Sequence, residues 1–457
     1  MSAGAGTSSG GGSFLERRWW RAAVVALYLV LVLLPLLVAA LQRHAAGYAV
    51  GYSAREFGKG FALVGIGILA MQFVLSARLR WMERPFGLDV VFRYHKVVAV
   101  LAIALVVSHP VLLAAGSGRW GLLYRFDQPW YILIAKLALL LLLVQAVTSL
   151  WRGRVRLGFE RWRLLHNQAP AVFVLVFVHS RIVGLDVGMP PMQKLWWAML
   201  GVVVVAYGYH KVVAPAIARR NAYHVAEVKR ETRNVWTLRL EPPSGRRRFD
   251  CRPGQFHFIK LWRGQRGLPV EEHHFTISSS PTAPHLASTI KESGDFTATI
   301  GDTRAGDEVS VRGPYGRFSY VFRPRDRHFV FIAGGIGITP LMSMLRHMRD
   351  TEADVEVLLL YGNRTESDIV FQQELEQIAG GERPRLRVVH VLSETGEGWQ
   401  GETGYVDREK IQRFVGERIT GRTYYVCGPP PMARKVIADL RYLGVPQARI
   451  EYERFSL

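Results

Sequence analysis

His95-KVVAVLAIALVVS-His109 and His166-NQAPAVFVLVFV-His179 are two apolar stretches, each bracketed by histidines. Both run from a basic flank into an apolar run, the pattern of a membrane-spanning helix. An ionisable side chain inside a bilayer is costly and marks a functional site by default. Imidazole nitrogen is also a usual ligand of haem iron. Two histidines on one helix facing two on another would sandwich two haems, one near each membrane face. At about 1.5 Å per residue, the step of fourteen from His95 to His109 separates the levels by roughly 20 Å and returns to within roughly 40° of the same face. The step of thirteen from His166 to His179 misses by roughly 140° in an ideal helix, so it needs a kink, and Pro170 lies between them. A lone membrane histidine more often hydrogen-bonds a neighbouring helix. Four at two matched depths favour the metal.

The rest of the composition fits a membrane anchor joined to a soluble part. The chain has 457 residues, room for two or three domains, and nearly all long apolar runs fall before residue 213. The net charge of +21 comes from Lys and Arg clustered beside those runs, which membrane topology demands, so no nucleic-acid partner is expected. Cys251 and Cys427 are the only cysteines, too few for a disulfide framework or a Cys-ligated iron–sulfur cluster.

Residues 1–21 read as a disordered cytoplasmic tail and 22–213 as an all-α bundle of six transmembrane helices, at about 22–41, 58–76, 95–115, 130–150, 167–184 and 195–212. Basic residues crowd the segments 77–94 and 151–165, while the alternate loops are poorer in them. Both termini are therefore expected in the cytoplasm, in a multi-pass protein of the plasma membrane. On this topology His95 and His166 flank an inner haem, and His109 and His179 an outer one. His44 and His210 sit at segment ends as interfacial residues. Arg181 either pairs with an outer haem propionate or snorkels.

Short β-rich runs, such as 235–241 (VWTLRLE), 255–263 (QFHFIKLWR) and 275–279 (FTISS), alternate with turns and predict an antiparallel β-barrel over 222–322. Over 325–457 strands alternate with helices, which predicts an α/β doubly wound domain. There, 329–340 (FVFIAGGIGITP) is a strand entering a glycine-rich turn and a helix. Gly334, Gly335 and Gly337, with Thr339 and Pro340, are candidate nucleotide ligands, because such glycines let backbone amides approach a pyrophosphate. The G-x-G-x-x-G fingerprint is incomplete, and a plain strand–turn–helix junction would also use glycine. A later strand ends in Cys427-Gly428-Pro429, at the edge where such sheets bind ligands. Arg364 follows the second strand, where a cation can bind a 2′-phosphate. That favours NADPH, with NADH possible and a solvated surface arginine the alternative.

Together these features resemble the ferric reductase / NADPH oxidase superfamily, over about 22–457, in the prokaryotic oxidase-like arrangement. The resemblance implies a six-helix membrane domain with two bis-His b haems, fused to a ferredoxin-reductase-like FAD and NADPH module. The histidine spacings of fourteen and thirteen match the family's ligand pattern. His273-His274-Phe275-Thr276-Ile277-Ser278-Ser279 is similar to its H-P-F-T-[IL]-S flavin signature, with His274 replacing proline. In that pattern His273 and Thr276 contact the flavin. Ser288-Thr289-Ile290-Lys291 looks like the second flavin segment, making Ile290 and Lys291 candidates, and Gly313-Pro314-Tyr315-Gly316 like its following turn. Phe455 resembles the near-terminal aromatic that stacks on the flavin. With Cys427 it is the candidate catalytic residue.

The implied function is electron transfer from cytosolic NADPH through FAD and two haems to an acceptor outside, O2 or a ferric chelate. Oxygen is slightly favoured, although Leu113 stands where many superoxide-forming members have a histidine. A membrane-anchored flavin reductase serving a cytosolic redox partner is the other reading. No obligatory protein partner is expected.

Overall fold

The computed structural model describes residues 18–47, 53–155 and 157–453. The expected tail up to residue 17 and the candidate Phe455 lie outside the described residues. The chain divides into two compact units, one ending at Ala214 and one running on from Pro215.

The first unit is helical. Its main helices are α1 (Arg18–Ala45), α2 (Ala54–Ser76), α3 (Leu88–Ser117), α4 (Trp130–Leu150), α5 (Ala169–Val183) and α6 (Pro190–Gly208). Helix α1 begins at Arg18, so residues 18–21 of the expected tail are helical. Five helices among the described residues are long and apolar enough to cross a bilayer. The expected fifth span departs from this. Helix α5 has 15 residues, which reach roughly 22 Å against a hydrocarbon core of about 30 Å. Its proline explains the shortness. Pro170 has no N–H to give and sits in the first turn of α5, so the preceding helix Phe159–His166 stops and a new one starts.

Large apolar side chains such as Val30, Val97 and Val205 are exposed on the outside of this unit, as a lipid-facing surface requires. Inside, Ile66, Ile68, Met71 and Phe73 of α2 pack with Val98 and Ala102 of α3, Phe173 and Phe177 of α5, and Met192 and Trp196 of α6. Glycine permits the closest approaches. A Cβ on Gly65 would lie 2.8 Å from Val106 Cγ2, and one on Gly67 would lie 2.7 Å from Val32 O. At one end Arg43 grips Asp186 with two hydrogen bonds, at 3.1 and 2.8 Å, and also pairs with Glu56.

The second unit holds two sheets. The first is antiparallel, with β1 (Tyr223–Thr232), β2 (Val235–Glu241), β3 (Phe256–Leu261), β4 (Glu272–Thr276), β5 (Leu286–Lys291) and β6 (Glu308–Tyr315) in the order β4-β3-β6-β1-β2-β5. The expected barrel is thus a six-stranded antiparallel sheet whose edge strands β4 and β5 meet just beyond β4, where Ser278 N–H donates to Ala287 O at 2.8 Å. The second sheet is wholly parallel, with β7 (His328–Gly334), β8 (Glu356–Asn363), β9 (Arg385–Leu392), β10 (Glu402–Thr403), β11 (Thr423–Cys427) and β12 (Ile450–Glu453) in the order β10-β9-β8-β7-β11-β12. Both faces are covered, which explains the unbroken apolar runs. Phe329, Phe331, Leu359 and Tyr425 pack beneath α7 (Ile338–Asp350) and α8 (Gln372–Ala379). Val330, Ile332, Leu360 and Val426 pack beneath α9 (Arg408–Val415) and α10 (Pro430–Tyr442).

Candidate functional site

The four membrane histidines fall into two pairs. His95 and His109 ride one continuous helix, α3. His166 closes the short helix Phe159–His166, and His179 lies on α5 beyond the break. The interruption at Asn167–Gln168 removes the mismatch that a continuous helix would impose on a spacing of thirteen. The rings of His95 and His166 meet edge to face, with centroids 6.3 Å apart and planes at 72°.

The other pair is prepared differently. His109 Nδ1 bonds Gly58 O at 2.9 Å, and His179 Nδ1 bonds Tyr131 O at 2.8 Å. A carbonyl only accepts, so each Nδ1 carries the hydrogen and each Nε2 keeps the lone pair that a metal needs. Imidazoles are the donor type that would hold a haem iron, and in the second pair the free nitrogen is defined. Among the described residues no cluster of three or more His, Cys, Asp or Glu side chains suits a bare metal ion.

In the second unit β4 splits the flavin signature across its two faces. The His273 ring stacks on Phe296 at 4.2 Å, and its Nε2 meets Glu271 at 2.8 Å. His274 points to the opposite face, against Phe256 and Phe258, with Tyr315 beside them. That aromatic surface suits a flat ring. Phe275 lies on the His273 side, near Phe296, while Thr276 and Ile277 are buried. Ser278 and Ser279 use their hydroxyls within the protein, on Thr289 and on the backbone of residues 285 and 287. Ile290 belongs to the sheet core, and Lys291 is exposed at the end of β5.

Beneath this strand His257 is fully buried with Nε2 2.6 Å from Ser288 Oγ, and desolvation pushes it down to about 3. Unfolded histidine titrates near 6.5, so the folded state resists a proton that the unfolded state takes. This contribution is whole above about pH 6.5 and is lost towards pH 3, at up to about 1.4 kcal/mol per pH unit. We expect His257→Gln to flatten the acid limb of thermal unfolding of the flavin sheet. An unchanged limb between pH 6.5 and pH 4 would refute this.

The nucleotide candidates converge where the strand order reverses, between the ends of β7 and β11. A Cβ on Gly337 would overlap Cys427 O and stand 2.8 Å from Gly428 Cα. One on Gly334 would stand 2.9 Å from Pro429 Cδ. Gly335 differs: its φ is +51° and nothing lies within 4 Å of an added Cβ, so the turn is open on that side. An open backbone cradle at the start of α7 fits a pyrophosphate. Thr339 bonds Ile336 O at 3.1 Å, and Pro340 is buried in the first turn. Burial pushes the Cys427 thiol well up, so it stays neutral. Arg364 is exposed and bonded to Glu394 at 2.7 Å, on the neighbouring strand end.

Two features were missed in the sequence. Tyr361, fully buried, donates its hydroxyl to Gly335 O at 3.2 Å and so braces the turn; a lone polar aromatic in the run LLLYGN was the signal. Helix α7 also grips the segment after β4: Ser343 Oγ donates to Ser279 O at 2.8 Å, and Arg346 donates to Ser278 O at 2.5 Å. Arg346 is held in turn by both oxygens of Glu374, at 2.9 and 2.6 Å. Desolvation pushes the Glu374 carboxyl up, but Arg346 and Arg349 outweigh it and hold it below the ordinary range.

Residues 61–177 match the ferric reductase like transmembrane component, and residues 331–437 match the oxidoreductase NAD-binding domain. Over 186 residues the chain is 35% identical to NADH-cytochrome b5 reductase 1 of Lodderomyces elongisporus, covering 40% of this chain and 62% of that protein. Over 215 residues it is 34% identical to the glycine betaine monooxygenase reductase subunit of Pseudomonas aeruginosa, covering 46% of this chain and 57% of that one. The chain thus spans about six tenths of the length of these relatives. A similar solved structure is the flavohem-like FAD/NAD binding domain of nitric oxide dioxygenase from Vibrio cholerae O1 biovar El Tor. It has 23% identity and a TM-score of 0.46, over 51% of this chain and 97% of that one.

Proposed function

We propose that this chain, a ferric-reductase-like transmembrane component joined to a ferredoxin-reductase-like NAD(P)H and flavin module, carries electrons from NADPH across the membrane to a one-electron acceptor outside. The observation that carries the reading is the pairing of four histidines on two helical tracks, with the Nε2 of His109 and His179 left for a metal. FAD would take two electrons as a hydride and pass them singly to two b haems, whose iron accepts one at a time.

The chain's own residues supply the positioning. Gly334, Gly335 and Gly337 would offer backbone amides to the dinucleotide pyrophosphate, with Tyr361 bracing the turn. Cys427, held as a thiol, would line the nicotinamide end without adding a negative charge. Arg346 and Ser343 would fix the flavin strand against α7, so that donor and acceptor rings meet in one geometry. Strand β4 and the aromatic face beside His274 would hold FAD. Arg364 would choose NADPH only by exchanging Glu394 for the 2′-phosphate, so NADH remains usable. The termini would be cytoplasmic and the membrane the plasma membrane. The acceptor would be oxygen, or a ferric chelate as the alternative. The similarity to a monooxygenase reductase subunit supports a second reading, a membrane-anchored reductase serving a protein partner.

Detergent-solubilised protein given FAD, NADPH and air decides among these. Haem reduction with dismutase-sensitive cytochrome c reduction is the expected result. Haem reduction without it would select the chelate reductase. A flavin spectrum with no haem bands would overturn the transmembrane pathway and select the partner-serving reductase.

A further inference from the structure

The two imidazole pairs are not equally supported. His109 and His179 each rest Nδ1 on a backbone carbonyl, whereas Nδ1 of His95 and Nδ1 of His166 are both buried with no hydrogen-bond partner. Among the described residues of the first unit the carboxamides of Gln42 and Gln72 share this condition, buried at both oxygen and nitrogen with no partner, and Gln72 lies on α2, the helix packed along α3. An unpaired amide in a membrane interior is expensive, and its presence there needs a reason.

The register between α2 and α3 supplies one. A Cβ on Gly58 would meet His109 O, Leu112 Cβ and Leu113 N. A Cβ on Gly65 would meet Ala102 O, Leu105 Cβ and Val106 Cγ2. Seven residues forward on α2 therefore correspond to seven residues back on α3. Continued by one more step, the same register would put Gln72 at the level of His95, Val98 and Ala99. Fourteen residues separate Gly58 from Gln72, as fourteen separate His109 from His95. Gln72 thus stands to His95 as Gly58 stands to His109.

The chemistry changes with the residue. At Gly58 the absence of a side chain lets α3 come close enough for His109 Nδ1 to reach the α2 backbone. At the corresponding position α2 carries Gln72 in place of a glycine, and His95 Nδ1 has no hydrogen-bond partner. A carboxamide extends the same kind of oxygen further out. We infer that Gln72 is a positioning residue of the inner haem, its side-chain oxygen accepting a hydrogen bond from His95 Nδ1 and fixing Nε2 towards the iron. This rests on the two-haem reading. Such a bond makes the ligand more basic and favours the ferric state.

The test uses the holoprotein, with haem counted per chain and both potentials and the low-spin electron paramagnetic resonance spectrum recorded. The inner haem is the one lost in His166→Ala. Gln72→Leu should keep both haems and raise the potential of the inner one by at least a tenfold change in its equilibrium, about 59 mV for one electron, with a shift in its resonance alone. Two haems with unchanged potentials and spectrum would overturn the assignment while leaving the two-haem reading intact. A moved potential with an unmoved resonance would overturn it too, in favour of a contact at the haem edge. If Gln72→Leu fails to load haem, Gln72→Glu decides: a stronger acceptor should lower the inner potential and shift the same resonance, and no change in either overturns the proposal. A parent protein without bis-imidazole haem would fail the underlying reading before any variant is made.

Discussion

His179→Ala is expected to remove one of two haems, leave NADPH-driven reduction of the flavin and of the other haem intact, and lower delivery to the outer acceptor by more than about 100-fold. The last figure is a lower bound, because even groups that only orient a metal ligand cost 10–100-fold when changed. The selectivity follows from the pairing. His179, on α5 and on the far side of the helix break from His166, is held by Tyr131 O of α4. Its loss therefore leaves the contact of His166 with His95 in place. His166→Ala should give the reciprocal phenotype: a reduced flavin, a lost inner haem and a remaining haem that NADPH no longer reduces. Pyridine haemochrome content and the NADPH-reduced difference spectrum separate the two. Two haems in both variants would show that other residues ligate iron. Flavin left oxidised by NADPH in either variant would show that the membrane unit and the nucleotide unit are not independent.

The histidine spacing was legible because burying an ionisable residue in an apolar run leaves a mark in composition, and fourteen residues return to one face of a helix. The break that accommodates thirteen was half legible, through Pro170, but its place after His166 depends on how α5 packs. The partners of His109 and His179 were invisible, since every residue carries a carbonyl and only the approach of α2 and α4 selects Gly58 and Tyr131. In the second unit the parallel sheet and its glycine turn were plain from alternating strands and helices. The split of His273 and His274 to opposite faces of β4 was implicit in a period of two. The partner of Arg364 was invisible because Glu394 is thirty residues distant in sequence and its pairing is set by the β8–β9 ladder. The clamp of Arg346 on Ser278 likewise joins segments of different sheets, which no local pattern announces.

Gly337→Ala should be the most damaging conservative change in the nucleotide unit. Gly337 has φ −60°, ψ −8°, an ordinary helical conformation, so alanine meets no backbone strain there. The harm is steric. The new methyl would overlap Cys427 O and stand 2.6 Å from its carbonyl carbon, and both belong to backbone anchored in β11 between β7 and β12. Neither side can yield as a flexible side chain would. The turn and the Cys427 loop must part, which opens the cradle where both candidate nucleotide segments meet. Overpacking of this kind costs about 1–3 kcal/mol, and the upper end is expected where only backbone is in the way. Gly335→Ala is the matched control, with the opposite balance. Its φ of +51° penalises a side chain by about 1 kcal/mol, yet nothing lies within 4 Å to collide with. Stopped-flow bleaching of the flavin by NADPH, with thermal unfolding of each variant, should show Gly337→Ala slowed more than tenfold and melting earlier, and Gly335→Ala only mildly affected. Parental stability and hydride transfer in Gly337→Ala would mean that the ends of β7 and β11 are not pressed together, and that the glycines there serve no nucleotide.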